Sequence, residues 1–341
     1  MVMSRDLSID YIRGLAIFLV VVGHFIQGNS DFFLESGSNS KSLFEIIYSF
    51  HMPLFFILSG YVSALKKEKI CNLYLLFTYV KKKAVLLLLP KFAWVCLFTP
   101  IMNHKKVSIQ TLFYDFIDLK QFWFLNTLFI IFVGYALYRY VSSKKNSGVA
   151  NVVGALLALL VIELISLVMG ERNFNTSTIV SILLYPSFFI IGYIFKLFSV
   201  VEMLKKNNWL LALVFASMVF GMENYEFPGC SFINCLYKYL ASVGFFIVAK
   251  ECFQSIQIPC AVSKCLLYCS KHSLGIYCVH MFFIWDICSI TTDSMATVLA
   301  LSSVVSLLMS FCIIAFAEFL SPLKYISIFL FGRVNVYEKN I

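Results

Sequence analysis

The chain has 341 residues, of which 60% are hydrophobic and only 13% charged, with a mean hydropathy of +0.86. No water-soluble domain of this size carries such a surface, which excludes a soluble enzyme, a disordered protein and a nucleic-acid reader. The net charge of +9 does not call for an anionic polymer as partner, because Lys and Arg sit in short clusters between apolar runs, where they set orientation in a bilayer. The eleven Cys fall mostly inside those runs and form no CxxC pair, so they read as small hydrophobes rather than as disulfides, zinc ligands or redox centres.

A helix crossing the ~30 Å hydrocarbon core needs about 20 mostly apolar residues, and ten such runs follow one another. The first, 11–28, comes after Arg5 but is no signal peptide, since Arg13 and His24 interrupt it and no small-residue cleavage site follows. The second, 43–65, carries Pro53. The third, 84–102, is broken by Pro90 and Lys91, and 73–83 before it is predicted as an interfacial helix. The rest are 122–140, 149–169, 178–198, a short one at 209–222, then 232–250, 273–291 and 295–319. With the N-terminus inside, inner segments hold 20 of the 27 Lys and Arg and outer segments 6, Lys91 remaining in a span. That bias places both termini in the cytoplasm. With no fixed-period repeat and only short loops, the expected fold is an all-α integral membrane protein. It is one domain over 1–341, a bundle of about ten transmembrane helices with no appended soluble domain.

Chemistry in such a chain must come from polar residues that the bilayer makes costly, by about 2.5–3.5 kcal/mol each on insertion scales. Five stand inside the runs: His24, His51, Lys91, Glu163 and His280. At ~100° per residue, Arg13 and His24 are ~20° apart in azimuth and ~16 Å apart along a helix, so they share a face. Asp10, three residues before Arg13, completes an ion pair on that stripe. Asp10 and Arg13 also suit ordinary interfacial snorkelling, but that does not explain His24. In the second run, His51-Met52-Pro53 puts an imidazole beside a proline that frees the carbonyl of Ser49 and kinks the helix, at a depth where His24 and His51 can meet. In the ninth, Ser273, Tyr277 and His280 follow i, i+4, i+7 and form a polar stripe that either glues helices or lines a path. Trp123 lies at the outer edge of the fourth run, where Trp is common. Lys81-Lys82-Lys83 is a cytoplasmic anchor that could also attract a phosphorylated cofactor. No GxGxxG, P-loop, HExxH or GxSxG is present, and His24, His51 and His280 have no metal-ligand spacing, so no metal is expected.

Four segments together resemble the membrane-bound acyltransferase-3 family, and within it the stand-alone sugar O-acetyltransferases. They are Ile9-Asp10-Tyr11-Ile12-Arg13-Gly14-Leu15-Ala16 with His24, Phe50-His51-Met52-Pro53-Leu54-Phe55-Phe56-Ile57-Leu58-Ser59-Gly60-Tyr61, Trp123-Phe124-Leu125, and Ser273-Leu274-Gly275-Ile276-Tyr277-Cys278-Val279-His280. The resemblance implies a ten-helix bundle in a bacterial inner membrane. It takes an acyl group, usually acetyl, from cytoplasmic acetyl-CoA to a hydroxyl of a cell-surface or lipid-linked carbohydrate, with membrane lipid around it and no nucleic acid involved. It also implies that the pair Arg13 and His24 is needed for activity. Many relatives carry two arginines three residues apart before the third span, where this chain has Lys81-Lys82-Lys83 and then Ala84. The extracytoplasmic esterase-like domain of longer relatives is not expected.

A sugar hydroxyl is a poor nucleophile towards a thioester at neutral pH, so the site needs a base, and a neutral imidazole suits the task. The expected roles are His24 as base or transient acyl carrier, and Arg13, with Lys83, as contacts of the anionic donor or, with Asp10, as an orienting pair. His51, Trp123, Tyr277 and His280 are expected on the acceptor side. The rival function is a transporter or flippase of lipid-linked sugar, since polar stripes and kinked helices also line translocation paths, although the sequence offers no matched pair of broken helices.

Overall fold

The computed structural model describes residues 6–29, 39–66, 68–103, 122–143, 176–226, 232–284, 295–319 and 324–332. Among them the regular structure is entirely helical. In chain order the helices are α1 (Leu7–Gly28), α2 (Asn39–Lys66), α3 (Leu73–Asn103), α4 (Trp123–Ser142), α5 (Thr176–Leu197), α6 (Val200–Leu204), α7 (Asn208–Asn224), α8 (Phe232–Ser255), α9 (Cys260–Lys271), α10 (Ser273–Val279), α11 (Met295–Phe319) and α12 (Lys324–Phe331). Among the described residues, four stretches are long and apolar enough to cross a membrane: Leu7–Gly28, Leu43–Lys66, Trp123–Ser142 and Ile233–Ser255. Shorter apolar stretches are Leu184–Leu197, Ser273–Phe283 and Ser303–Phe316. The fifth predicted run, with Glu163, lies outside the described residues.

Several elements differ from the sequence reading. The interfacial helix expected at 73–83 is not separate: α3 runs unbroken through Pro90 for 31 residues, ~46 Å at 1.5 Å per residue, so its first turns extend beyond a ~30 Å core. The ninth run is not one long α-helix, because α10 tightens at His280 into the 3₁₀ turn His280–Phe283. The first helix begins earlier than residue 11, with Asp6 as its cap accepting the Ser8 N–H. This puts Asp10 inside the helix and buries it. The amphipathic α9 arises where only a loop was expected.

The described chain forms two compact units. In the unit built on α1, α2 and α5 to α9, helices approach closely where glycines allow it. A Cβ on Gly14 of α1 would overlap the Leu266 carbonyl of α9, and Tyr11 shares a hydrogen bond of 2.9 Å with Ser263 one turn away. Between α2 and α5 the fit is reciprocal, since a Cβ on Gly60 would overlap the Phe189 carbonyl and one on Gly192 the Ile57 carbonyl. Contacts along this pair advance together, from Phe56 on Tyr185 through Gly60 on Phe189 to Lys196 over Tyr61. The two helices therefore run parallel. They also carry matching runs, Pro53-Leu54-Phe55-Phe56-Ile57-Leu58-Ser59-Gly60-Tyr61 and Pro186-Ser187-Phe188-Phe189-Ile190-Ile191-Gly192-Tyr193, each with its proline inside the helix. Both helices continue through their prolines, so they match in sequence without being a pair of broken helices.

The freed Ser49 carbonyl, one turn before Pro53, finds its donor across the helix pair. Ser242 of α8 shares its hydroxyl proton between the Lys238 carbonyl at 2.6 Å and the Ser49 carbonyl at 3.2 Å. Buried carbonyls rarely go without a donor, and here a serine placed one turn after Lys238 supplies it.

The second unit is built on α3, α4, α10 and α12. Trp94 of α3 donates its indole N–H to the Leu330 carbonyl at 2.8 Å, and Phe92 meets Phe329 edge-on. Arg139 of α4 grips the Glu68 carbonyl with two N–H groups, at 3.2 and 3.1 Å. Tyr79 of α3 packs on Phe132 and Tyr135 of α4.

Candidate active site

In the first unit the two imidazoles each pack against a third ring, that of Tyr48. Tyr48, one turn before His51 on α2, packs edge-on against His51 with centroids 4.7 Å apart and against His24 of α1 at 6.3 Å. Its hydroxyl donates to Gln27 Oε1 at 2.7 Å, and its opposite side lies on Phe44 at 4.1 Å. Gly23 makes room for it, since a Cβ there would sit 3.0 Å from Tyr48 Cε2 and 3.2 Å from Ile47 Cγ2. Behind this group Val22, Phe25, Ile26, Phe44 and Ile47 form a buried apolar cluster. His51 is buried and His24 half-buried.

The three described intramembrane histidines share one local device. Nδ1–H of His24 donates to the Val20 carbonyl at 3.0 Å, that of His51 to Ile47 at 2.7 Å and that of His280 to Ile276 at 2.9 Å. Only an N–H can bond a carbonyl oxygen, so the hydrogen of each neutral ring is assigned to Nδ1 and the lone pair to Nε2. A carbonyl one turn back on the same helix thus fixes the tautomer of each ring. What results is a base at Nε2 with a defined direction.

At the other end of α1, Arg13 Nη1 donates to Asp10 Oδ1 at 3.4 Å, a loose pair whose arginine side chain is 27% exposed. Ser270 of α9 donates to the same oxygen at 3.3 Å. Asp10, Tyr11 and Gly14 therefore seat α1 on Ser270, Ser263 and Leu266 of α9, which gives much of the first motif a packing role, while Arg13 stays partly exposed. The unbroken α1 preserves the alignment of Arg13 with His24.

The remaining candidates belong to the second unit. Lys83 turns its ammonium onto α4, 3.5 Å from the Phe132 centroid and 5.3 Å from that of Tyr79, while Lys81 and Lys82 are exposed. Tyr277 and His280 remain neighbours at 6.1 Å despite the 3₁₀ turn. Tyr277 packs edge-on against Phe124 of the Trp123-Phe124-Leu125 motif at 5.4 Å and against Phe122, just before it, at 6.2 Å, with Trp123 half-buried beside them. Phe122 reaches this position through a left-handed backbone, φ 51°, an uncommon conformation for a bulky residue. Lys91 is completely buried in α3. Among the described residues no group of three His, Cys, Asp or Glu is arranged to hold a metal ion.

Sequence reasoning missed four residues. Tyr48 and Gln27 bear no signal except the gap at Gly23. The charge asymmetry counts Lys238 with the outer segments and Lys250 with the inner ones, yet both lie within α8. There Lys238 faces the rings of Tyr225 at 5.3 Å and Tyr185 at 5.9 Å, and Lys250 is fully buried.

A family model described as an acyltransferase domain matches residues 6–317. The chain belongs to the acyltransferase-3 family. Like the family, it is an integral, multi-pass membrane protein, with an acyl donor implied by the family itself. Among characterised relatives, the acyltransferase-3 chain is 33% identical over 142 residues to nodulation protein NolL of Mesorhizobium japonicum, covering 38% of this chain and 35% of that one. It is 36% identical over 100 residues to nodulation protein NolL of Sinorhizobium fredii, covering 28% and 24% respectively. The matched part thus spans about a third or less of the length of these relatives. No solved structure matches the chain.

Proposed function

We propose that this protein is a membrane-bound O-acyltransferase that moves an acetyl group from cytoplasmic acetyl-CoA to a hydroxyl of a cell-surface or lipid-linked carbohydrate. It does so as a single domain of about ten spans in a bacterial inner membrane, with both termini cytoplasmic. The observation that carries the reading is the grouping of His24 and His51 about Tyr48, each ring held with its lone pair on Nε2, on a helix whose other end bears Arg13. Family membership supports the same chemistry.

In the proposed reaction the acceptor O–H gives its proton to an Nε2 as the oxygen attacks the thioester carbonyl. The C–S bond breaks, and the coenzyme A thiolate leaves and takes up a proton. His24 is the base or, in a two-step variant, the group that carries the acetyl. Arg13 meets an anionic part of the donor or, with Asp10, orients α1 on α9. His51 lies beside the acceptor, with Trp123, Tyr277 and His280 as further candidates there. Lys83, lying on Phe132, suits an anchor better than a donor contact.

A conduit for lipid-linked sugar remains the rival reading, and the matching proline-containing runs of α2 and α5 are what favours it, although these helices are continuous where transporters pair broken ones. Comparing acetyl esters on the host's surface glycans with and without the protein separates the two. The acyltransferase reading predicts ester loss from otherwise intact glycan. Loss of the glycan itself, with its acetylation unchanged per sugar, supports the conduit.

A further inference from the structure

Tyr61 ends the second motif and is 1% exposed, yet its hydroxyl meets no hydrogen-bond partner among the described residues. Buried hydroxyls are nearly always bonded, and one that is not costs stability and calls for a reason. Two ammonium groups face the same ring. Lys196, in the last turn of α5, lies 5.5 Å from the centroid and Lys250 of α8 lies 5.7 Å from it. Lys250 is fully buried and donates to Glu202 Oε1 at 2.9 Å, while the Glu202 side chain is 46% exposed. Two carboxylates lie within electrostatic reach of Tyr61, Glu202 and Asp6. Asp6 is engaged as the cap of α1, accepting the Ser8 N–H, so Glu202 is the one that can turn out to solvent.

A neutral pair of rings and an ion pair would explain two lysines over a phenylalanine. They do not explain why the ring carries an oxygen. A buried O–H donor on a ring that faces two ammonium groups, one of them covered by a displaceable carboxylate, matches the needs of a phosphate, which accepts several charge-assisted hydrogen bonds at once. We propose that Tyr61, Lys196 and Lys250 form a phosphate-binding subsite, in which a phosphate replaces Glu202 on Lys250 and accepts the Tyr61 O–H. Its assignment to the acyl donor, rather than to a lipid headgroup, rests on the function proposed above.

The test uses the purified full-length chain in phosphatidylcholine nanodiscs, with binding of coenzyme A, dephospho-coenzyme A and pantetheine measured by calorimetry. Tyr61→Phe keeps both ring contacts and removes only the oxygen. It is expected to raise the melting temperature while weakening coenzyme A binding by about tenfold, the worth of one hydrogen bond to a charged group. Lys196→Met, at a less buried position, should weaken it likewise, Glu202→Gln should strengthen it, and none should alter pantetheine binding. In a second arm, phosphatidylglycerol replaces phosphatidylcholine. A lipid-dependent rise in melting temperature that Tyr61→Phe abolishes assigns the subsite to a headgroup phosphate. Wild-type coenzyme A binding and lipid response in both Tyr61→Phe and Lys196→Met would overturn the proposal. If the wild-type protein binds no coenzyme A, the donor assignment falls, and the lipid arm still decides the subsite.

Discussion

Ser242→Ala removes the hydroxyl that serves the Ser49 carbonyl, and both residues are fully buried. An interhelical hydrogen bond in a membrane protein averages about 0.6 kcal/mol, whereas a buried acceptor left without a donor costs ~1–3 kcal/mol. Because Ser242 gives its proton mainly to the Lys238 carbonyl, at 2.6 Å against 3.2 Å, the expected loss sits at the low end, about 1 kcal/mol. The cause can be isolated. Pro53→Ala returns an N–H one turn after Ser49 and lets α2 close its own bond, so in that background Ser242→Ala should cost about half as much or less. Reversible unfolding in mixed micelles of the four proteins of this cycle measures the coupling. Equal losses in the two backgrounds would refute the claim that Ser242 compensates the proline. Since His51 lies two residues before Pro53, the same cycle run on turnover reports how firmly that imidazole is placed.

Gly60→Val should be far more damaging than either, because the side chain has no space against the Phe189 carbonyl; loss of the folded, monodisperse protein in detergent checks it, and a stable variant would mean that α2 and α5 do not cross there. Tyr48→Phe keeps the ring between His24 and His51 but loses the bond to Gln27, and is expected to lower turnover several-fold with little change in melting temperature, as should Gln27→Leu, without adding to it. Burial pushes the Glu202 carboxyl up, but the hydrogen bond and charge of Lys250 outweigh it and hold it below its ordinary value of 4.5. The pair's contribution is therefore complete above that value and fades as pH falls through and below it. Melting temperature should decline there in the wild type, and Glu202→Gln should flatten that part of the profile.

Much of the first unit's site was legible because it depends on spacing within one helix. Eleven residues fix the azimuth of Arg13 and His24, and a proline two residues after His51 says which carbonyl is freed. What answers that carbonyl was not legible, because Ser242 is distant in sequence and carries no local pattern. Tyr48 was hidden for a related reason, as its partners come from α1 through the gap at Gly23. Lys238 and Lys250 sit towards the ends of an apolar run, where hydropathy cannot tell a helix interior from a loop, and only the packing of α8 buries Lys250 fully and Lys238 in part. The i, i+4, i+7 rule over Ser273, Tyr277 and His280 assumed a continuous α-helix; the 3₁₀ turn at His280 breaks that assumption, though the two aromatic rings stay adjacent. The sequence offers Lys83 as an anchor or a donor contact and hides its aromatic partner, because Phe132 lies on the next helix.

The central claim is that His24 does chemistry on an acetyl group, and it is tested most directly by reconstituting the protein in vesicles with [acetyl-¹⁴C]coenzyme A and host glycan extract. The wild-type protein should move label from the thioester to glycan ester, and His24→Ala, with membrane level and melting temperature preserved, should not. Transfer by His24→Ala at the wild-type rate would contradict the assignment, and absence of any transfer or thioester cleavage by the wild type would contradict the function itself.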